Sequence, residues 1–91
     1  MGSIAFDVPA FLDHVTGGLR QVEVTGSAVG ECLGHLIDRF PGAGPLVFDE
    51  SGSLLGHIEI YVNGVSTFPE ELTRSVHDGD TISMAYLIVG G

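Results

Sequence analysis

The sequence predicts an α+β fold in which one main helix crosses a single sheet, mostly antiparallel or mixed, with elements in the order ββαββ. Four stretches alternate apolar and polar residues, the period of a strand with one buried face. One stretch, Val29 to Phe40, repeats its apolar residues at helical spacing instead. The 91 residues, 44% apolar and 16% charged, supply material for one core and show little signature of disorder. The expectation is a single domain spanning residues 1–91.

Ser3 to Val8 places Ile4, Phe6 and Val8 on one face and stops at Pro9, which cannot donate to a ladder. Pro9 to Gly18 reads as a connection holding a helical turn, punctuated by Gly17-Gly18. Leu19 to Val24 alternates again, with Val22 and Val24 opposed to Gln21 and Glu23, so the first two strands form an antiparallel hairpin. Ser27 is the expected N-cap of the helix. Val29, Cys32, Leu33, Leu36, Ile37 and Phe40 then form one buried stripe, closed by Pro41-Gly42. Gly30 and Gly34 each cost such a helix about 1 kcal/mol relative to alanine, so packing on a sheet must hold it.

Pro41 to Ser53 reads as an irregular crossover. Leu54 to Val62 resumes the two-residue period, with Ile58, Ile60 and Val62 together, and Asn63-Gly64 is a two-residue hairpin turn into a short return at Val65 to Thr67. Phe68 to Val76 is a polar link and His77-Asp78-Gly79-Asp80 a turn. Thr81 to Val89 is the last strand, with Ile82, Met84, Tyr86 and Ile88 on one face. A hairpin, a crossing helix and two returning strands in this length predict a β-grasp fold. Val22, Cys32, Leu36, Ile60 and Ile82 are expected in its core.

Twelve acidic residues face three arginines, Arg20, Arg39 and Arg74, and no lysine, for a formal charge of −9. That balance argues against nucleic acid or an anionic membrane surface, both of which need a basic face, and favours basic protein partners. One cysteine, Cys32, excludes an intrachain disulfide and any Cys-x-x-Cys zinc site. No signal peptide is legible at the N-terminus and no window approaches a membrane span, so a cytoplasmic protein is expected.

The four histidines, His14, His35, His57 and His77, fit no zinc template. Cys32 lies on the apolar stripe and reads as a structural thiol rather than a nucleophile, which needs an exposed, electropositive setting. Asp78-Gly79-Asp80 reads as turn chemistry, with Gly79 supplying a positive φ. There is no phosphate-cradling glycine loop and no nucleophile elbow. No catalytic residue, metal site or bound cofactor is expected.

The informative stretch is Leu87-Ile88-Val89-Gly90-Gly91. Two residues without side chains can thread a narrow channel, and a glycine carboxylate has no Cβ to shield it from attack. Taken with Ile60-Tyr61-Val62-Asn63-Gly64 and His77-Asp78-Gly79-Asp80-Thr81-Ile82, the ending resembles the ThiS/MoaD family of ubiquitin-like sulfur carriers. Gly26 through Pro41 resembles that family's first helix, and Thr16-Gly17-Gly18 resembles its cysteine-biosynthesis branch.

The resemblance implies a carrier rather than an enzyme. An adenylating enzyme of the ubiquitin-activating type uses ATP to activate the C-terminal carboxylate, and a sulfur donor converts it to a thiocarboxylate. Gly91 would carry the sulfur, Gly90 the flexibility, and Leu87, Ile88 and Val89 the stem inserted into partners, making residues 87–91 a flexible tail. The implied acceptor is a pyridoxal-phosphate synthase of the cysteine-synthase type, followed by a metalloprotease. The alternatives are the large subunit of molybdopterin synthase, or a thiamine or natural-product pathway. Two readings of another class remain open: a ubiquitin-like protein modifier, and a plain binding module.

Overall fold

A computed structural model of the chain describes residues 2–87. Its sheet comprises β1 (Gly2–Asp7), β2 (Gln21–Gly26), β3 (Ile58–Val62), β4 (Val65–Ser66) and β5 (Thr81–Tyr86). The order across it is β2-β1-β5-β3-β4. β1 pairs antiparallel with β2 and parallel with β5, while β3 pairs antiparallel with both β5 and β4. The helices are α1 (Asp13–Thr16), α2 (Val29–Arg39) and α3 (Gly44–Val47). This is the expected mixed sheet crossed by one main helix, the β-grasp arrangement.

The core lies between α2 and one sheet face. Val29, Cys32, Leu33 and Leu36 of the helix meet Ile4, Phe6, Val22, Val24, Ile58, Ile60, Val62, Ile82 and Met84 of the strands, all buried. The five residues expected in the core, Val22, Cys32, Leu36, Ile60 and Ile82, are all there. The Asn63-Gly64 turn has φ of 52° and 81°, the doubly positive pair that a two-residue turn between right-twisting strands requires.

Several boundaries differ from the sequence expectation, each for a local reason. The second strand starts at Gln21 rather than Leu19, because Gly17 and Gly18 both take positive φ at the end of α1 and leave Leu19 exposed. Ser27 is not the N-cap. Ala28 holds that position in extended geometry, and the Glu31 carboxylate reaches back to accept from the Ser27 backbone N–H at 2.7 Å. The Arg74 carbonyl accepts from Val29 N–H at 2.9 Å, so a neighbouring segment satisfies the helix start that the serine would have capped.

The crossover from Pro41 to Ser53 holds a 3-10 turn, Pro41–Ala43, and α3, whose Val47 is buried beside Ala43. The third strand begins at Ile58, not Leu54: the Leu55 N–H donates to Val47 at 2.9 Å and Leu54 bridges Phe48, so those two leucines answer to α3. The polar link holds a further 3-10 turn, Glu71–Thr73. In β5, Ile82 and Met84 are buried as expected, but Tyr86 is 51% exposed, because the strand has run past the end of the core. Ile88 and Val89, expected to continue the strand, lie outside the described residues. No helix among the described residues is long and apolar enough to cross a membrane.

The two glycines of α2 differ in kind. A Cβ on Gly30 would stand 2.9 Å from the Leu72 carbonyl oxygen in the Glu71–Thr73 turn, whereas one on Gly34 would meet nothing within 4 Å. Gly34→Ala should therefore raise stability by up to about 1 kcal/mol, the helix-propensity difference. Gly30→Ala should lower it, since a backbone oxygen has to move. Urea midpoints of the two variants check this, and equal shifts would show that the helix does not press on that turn.

Candidate functional site

β5 lies between β1 and β3, paired on both sides at its start, where Thr81 and Ile82 meet β1, and with β3 alone from Ser83 to Tyr86. Beyond Tyr86, the Leu87 N–H donates to the His57 carbonyl at 2.6 Å, continuing the β3–β5 ladder by one bond, and the Leu87 side chain is exposed. Of the stem and sulfur-carrying residues expected from the sequence, Leu87 alone is described; Ile88, Val89, Gly90 and Gly91 lie outside the described residues.

Beside Leu87 opens a groove of about 420 Å³, whose lining includes Leu54, Leu55, Ile58 and Phe68 together with Glu59 and Glu71. Phe68 is 73% exposed. The sequence reading placed Phe68 in a polar link and Leu54 in a strand, so this apolar feature was not anticipated. Its lining comes from four separate stretches, which no local pattern connects. The open sheet face carries the small or polar alternates of the strands, including Ser3, Glu23, Glu59, Tyr61 and Ser83. Partial desolvation and the adjacent Glu59 push the Tyr61 phenol above its ordinary range.

The Asp78-Gly79-Asp80 motif is a junction rather than a reactive pair. The Asp78 carboxylate accepts from Ser3 N–H at 2.8 Å, and Gly79 N–H, at φ 90°, donates to the Ser3 carbonyl at 3.0 Å. The Asp80 carboxylate accepts from the Asn63 side-chain amide at 2.9 Å and from His77 N–H at 2.8 Å. Asn63 in turn accepts from Thr81 N–H at 2.9 Å. One turn thus ties the start of β1, the start of β5 and the β3–β4 hairpin together.

Thr16-Gly17-Gly18 is likewise architectural: Gly17 is the left-handed cap of α1, and Gly18 N–H donates to the Asp13 carbonyl at 3.0 Å. Cys32 is buried, and that burial, with the Glu31 charge, pushes its thiol upward, the opposite of what a nucleophile needs. The histidines stand apart. His35 accepts from Thr25 N–H at 3.1 Å, His57 lies against Tyr86, His77 sits 3.9 Å from Asp80, and His14 is exposed on α1. Among the described residues no three His, Cys, Asp or Glu side chains form a metal-binding group.

Hydrogen bonds from Asn63, then from His77 N–H, hold the Asp80 carboxyl below its ordinary value. A carboxyl depressed on folding stabilises the chain at pH above its unfolded value, about 3.9. That contribution drains as pH falls through the lower folded value. Asp80→Asn should therefore lower the urea midpoint at neutral pH, and the gap from wild type should narrow on acidification. A gap independent of pH would show that the junction does not depend on the charge.

No family model matches the chain. The sequence is 27% identical over 92 residues to the sulfur carrier protein CysO of Mycobacterium tuberculosis, covering 98% of this chain and 99% of that protein. In structure it is similar to the chain matched in the BexX/CysO complex of Amycolatopsis orientalis, with TM-score 0.85 and 30% identity over 97% of this chain and 99% of that one. It is similar also to SAMP1 from Haloferax volcanii, with TM-score 0.84 and 29% identity over 99% of this chain and 100% of that one. A five-stranded mixed sheet under one crossing helix, the Asp-Gly-Asp junction and a full-length likeness to CysO converge: the chain belongs to the ThiS/MoaD family of ubiquitin-like sulfur carrier proteins.

Proposed function

We propose that residues 1–91 form one carrier domain whose Gly91 carboxylate is converted to a thiocarboxylate and donates sulfur in biosynthesis, cysteine formation being the favoured route. The observation that supports this reading is where β5 delivers the chain. The strand that precedes Gly90-Gly91 in the sequence ends at Tyr86 and is followed by an exposed Leu87 beside an apolar groove, in a chain similar to CysO over 98% of its length.

A carboxylate is a poor electrophile. On an adenylating partner its oxygen attacks the α-phosphorus of ATP and pyrophosphate leaves, giving an acyl adenylate. A sulfide equivalent then adds to the acyl carbon and AMP departs, leaving a thiocarboxylate at Gly91. The carrier needs no cofactor of its own, because ATP is the partner's substrate. In the cysteine route the thiocarboxylate sulfur adds to an aminoacrylate held by a pyridoxal-phosphate synthase. An S-to-N acyl shift leaves cysteine on Gly91, and a metalloprotease releases it. Delivery to the large subunit of molybdopterin synthase, or to a thiamine or natural-product pathway, would use the same chemistry up to the thiocarboxylate. We place the reaction in the cytoplasm, with Leu87 to Gly90 as the segment that enters each partner. That the Amycolatopsis orientalis structure is a complex of BexX with CysO supports a carrier that works with a partner protein.

A second reading has its own support. SAMP1 from Methanosarcina acetivorans, a small archaeal modifier protein, is 26% identical over 100% of this chain. As a modifier, Gly91 would form an isopeptide bond with a lysine of a target protein. With no lysine of its own, the chain could not become a branch point for further copies.

Incubation with the cognate adenylating enzyme, ATP and a sulfur source should raise the intact mass by the oxygen-to-sulfur difference, mapped to Gly91. Deleting Gly91 should leave the urea midpoint unchanged and abolish the mass gain, because one residue is about 3.3 Å of extended chain. Tethered chemistry tolerates misplacement of only about an ångström. An isopeptide to a target lysine as the sole product would favour the modifier. A thiolated Gly91-deleted chain would contradict the assignment to that residue.

A further inference from the structure

The end of the sheet from which Leu87 departs carries a contact that core packing does not explain. By alternation with Ile82 and Met84, Tyr86 belongs to the core-facing side of β5, yet it is half exposed. Its ring is nonetheless held from two directions. The Phe11 ring meets it edge-on, with centroids 5.3 Å apart and planes at 63°, and the His57 ring lies 4.3 Å away at 48°. Phe11 comes from a 3-10 turn, Ala10–Leu12, whose Leu12 is fully buried, so that side of the grip is anchored in the core. His57 immediately precedes β3 and contributes twice, through its ring to Tyr86 and through its carbonyl to Leu87 N–H at 2.6 Å. Three segments distant in sequence therefore meet at the last residue of the last strand.

We propose that Tyr86, gripped between Phe11 and His57, is a positioning residue that sets the direction in which the chain leaves the sheet, and so how readily Gly91 finds the adenylating site. This rests on the sulfur-carrier reading above. Five residues follow Tyr86 to Gly91, a span of at most ~18 Å. The direction in which the chain leaves Tyr86 therefore sets which region around the sheet end the carboxylate can reach. The cost of a loose root falls on finding the channel, because a seated tail is the same tail. It belongs in KM rather than kcat. The hydroxyl of Tyr86 has no hydrogen-bond partner among the described residues, so the ring alone carries the role.

The test uses the full chain as wild type, Tyr86→Ala, Tyr86→Phe and His57→Ala, with the cognate adenylating enzyme and ATP, following pyrophosphate release. Tyr86→Ala should raise KM about two- to tenfold, the range that loss of one or two aromatic pairs gives, with kcat unchanged. Tyr86→Phe should restore wild-type values and His57→Ala should fall between. In the free proteins, NMR supplies a readout independent of activity. Tyr86→Ala should remove the ring-current shifts of the Phe11 and His57 ring protons and speed hydrogen exchange at the Leu87 amide, leaving Ile4, Ile60 and Ile82 protected. Unchanged KM, unchanged Leu87 exchange, or a loss of protection in the core that parallels the KM change would each overturn the proposal. If the wild-type tail is not adenylated at all, the carrier reading fails, while Leu87 exchange still decides whether Tyr86 directs the exit.

Discussion

The parallel pairing of β1 with β5 is the constraint on which the rest of this structure depends. A parallel pair cannot be closed by a tight turn and needs a long crossover; here everything from β2 through β4 serves as that connection. The pairing itself is brief, Ala5 with Thr81 and Phe6 with Ile82. The Asp78–Asp80 turn extends it: Asp78 and Gly79 bond to Ser3, and the Asp80 carbonyl accepts from Ala5 N–H at 3.0 Å. With β5 fixed beside β1, its other edge is free for β3, and α2 must cross the face those strands share. The motif most recognisable in the sequence is thus a fastener. Its two carboxylates accept from backbone and amide donors, Asp78 from Ser3 and Asp80 from Asn63 and His77.

That arrangement also decides where function can sit. β1 flanks only the start of β5, at Thr81 and Ile82, and the last residues of the strand, Ser83 to Tyr86, pair with β3 alone. Anchored at its start by β1 and along its length by β3, β5 presents Leu87 on the β3 side, beside a groove whose lining includes Glu59 and Glu71. The charge of −9 extends that acidic character over the whole chain. A field of one sign steers encounter with a basic partner and weakens as salt rises. In the proposed function, steering by the body would bring the partner and insertion by the tail would place one carboxylate, two separable contributions.

Much of the fold was legible because periodicity reports burial directly. Val22 and Val24, the stripe from Val29 to Leu36, and Ile58 to Val62 all fall on the faces their spacing assigns. What escaped was set by partners distant in sequence. Ser27 was a reasonable cap until the Arg74 carbonyl and the Glu31 carboxylate took over the start of the helix. Leu54 and Leu55 continue the strand alternation but are drawn to α3, whose four residues are too short to show a helical period. Alternation likewise gives Tyr86 an apolar face without saying that the core has ended beneath it. At the site, Gly91 and the stem residues were chosen from the sequence and its resemblance alone. The groove and the aromatic grip at Tyr86 could be found only in three dimensions, since Phe11, His57, Phe68 and Tyr86 share no spacing.

The central claim is that this chain's C-terminal carboxylate is a sulfur-bearing group. The most direct measurement is the mass of the C-terminal peptide from the protein isolated from its own cells under thiol-protecting conditions. The account predicts a population in which one oxygen of the Gly91 carboxylate is replaced by sulfur and which an alkylating reagent caps at that atom. A free carboxylate in every growth state, or Gly91 found only in isopeptide linkage to other proteins, would contradict it.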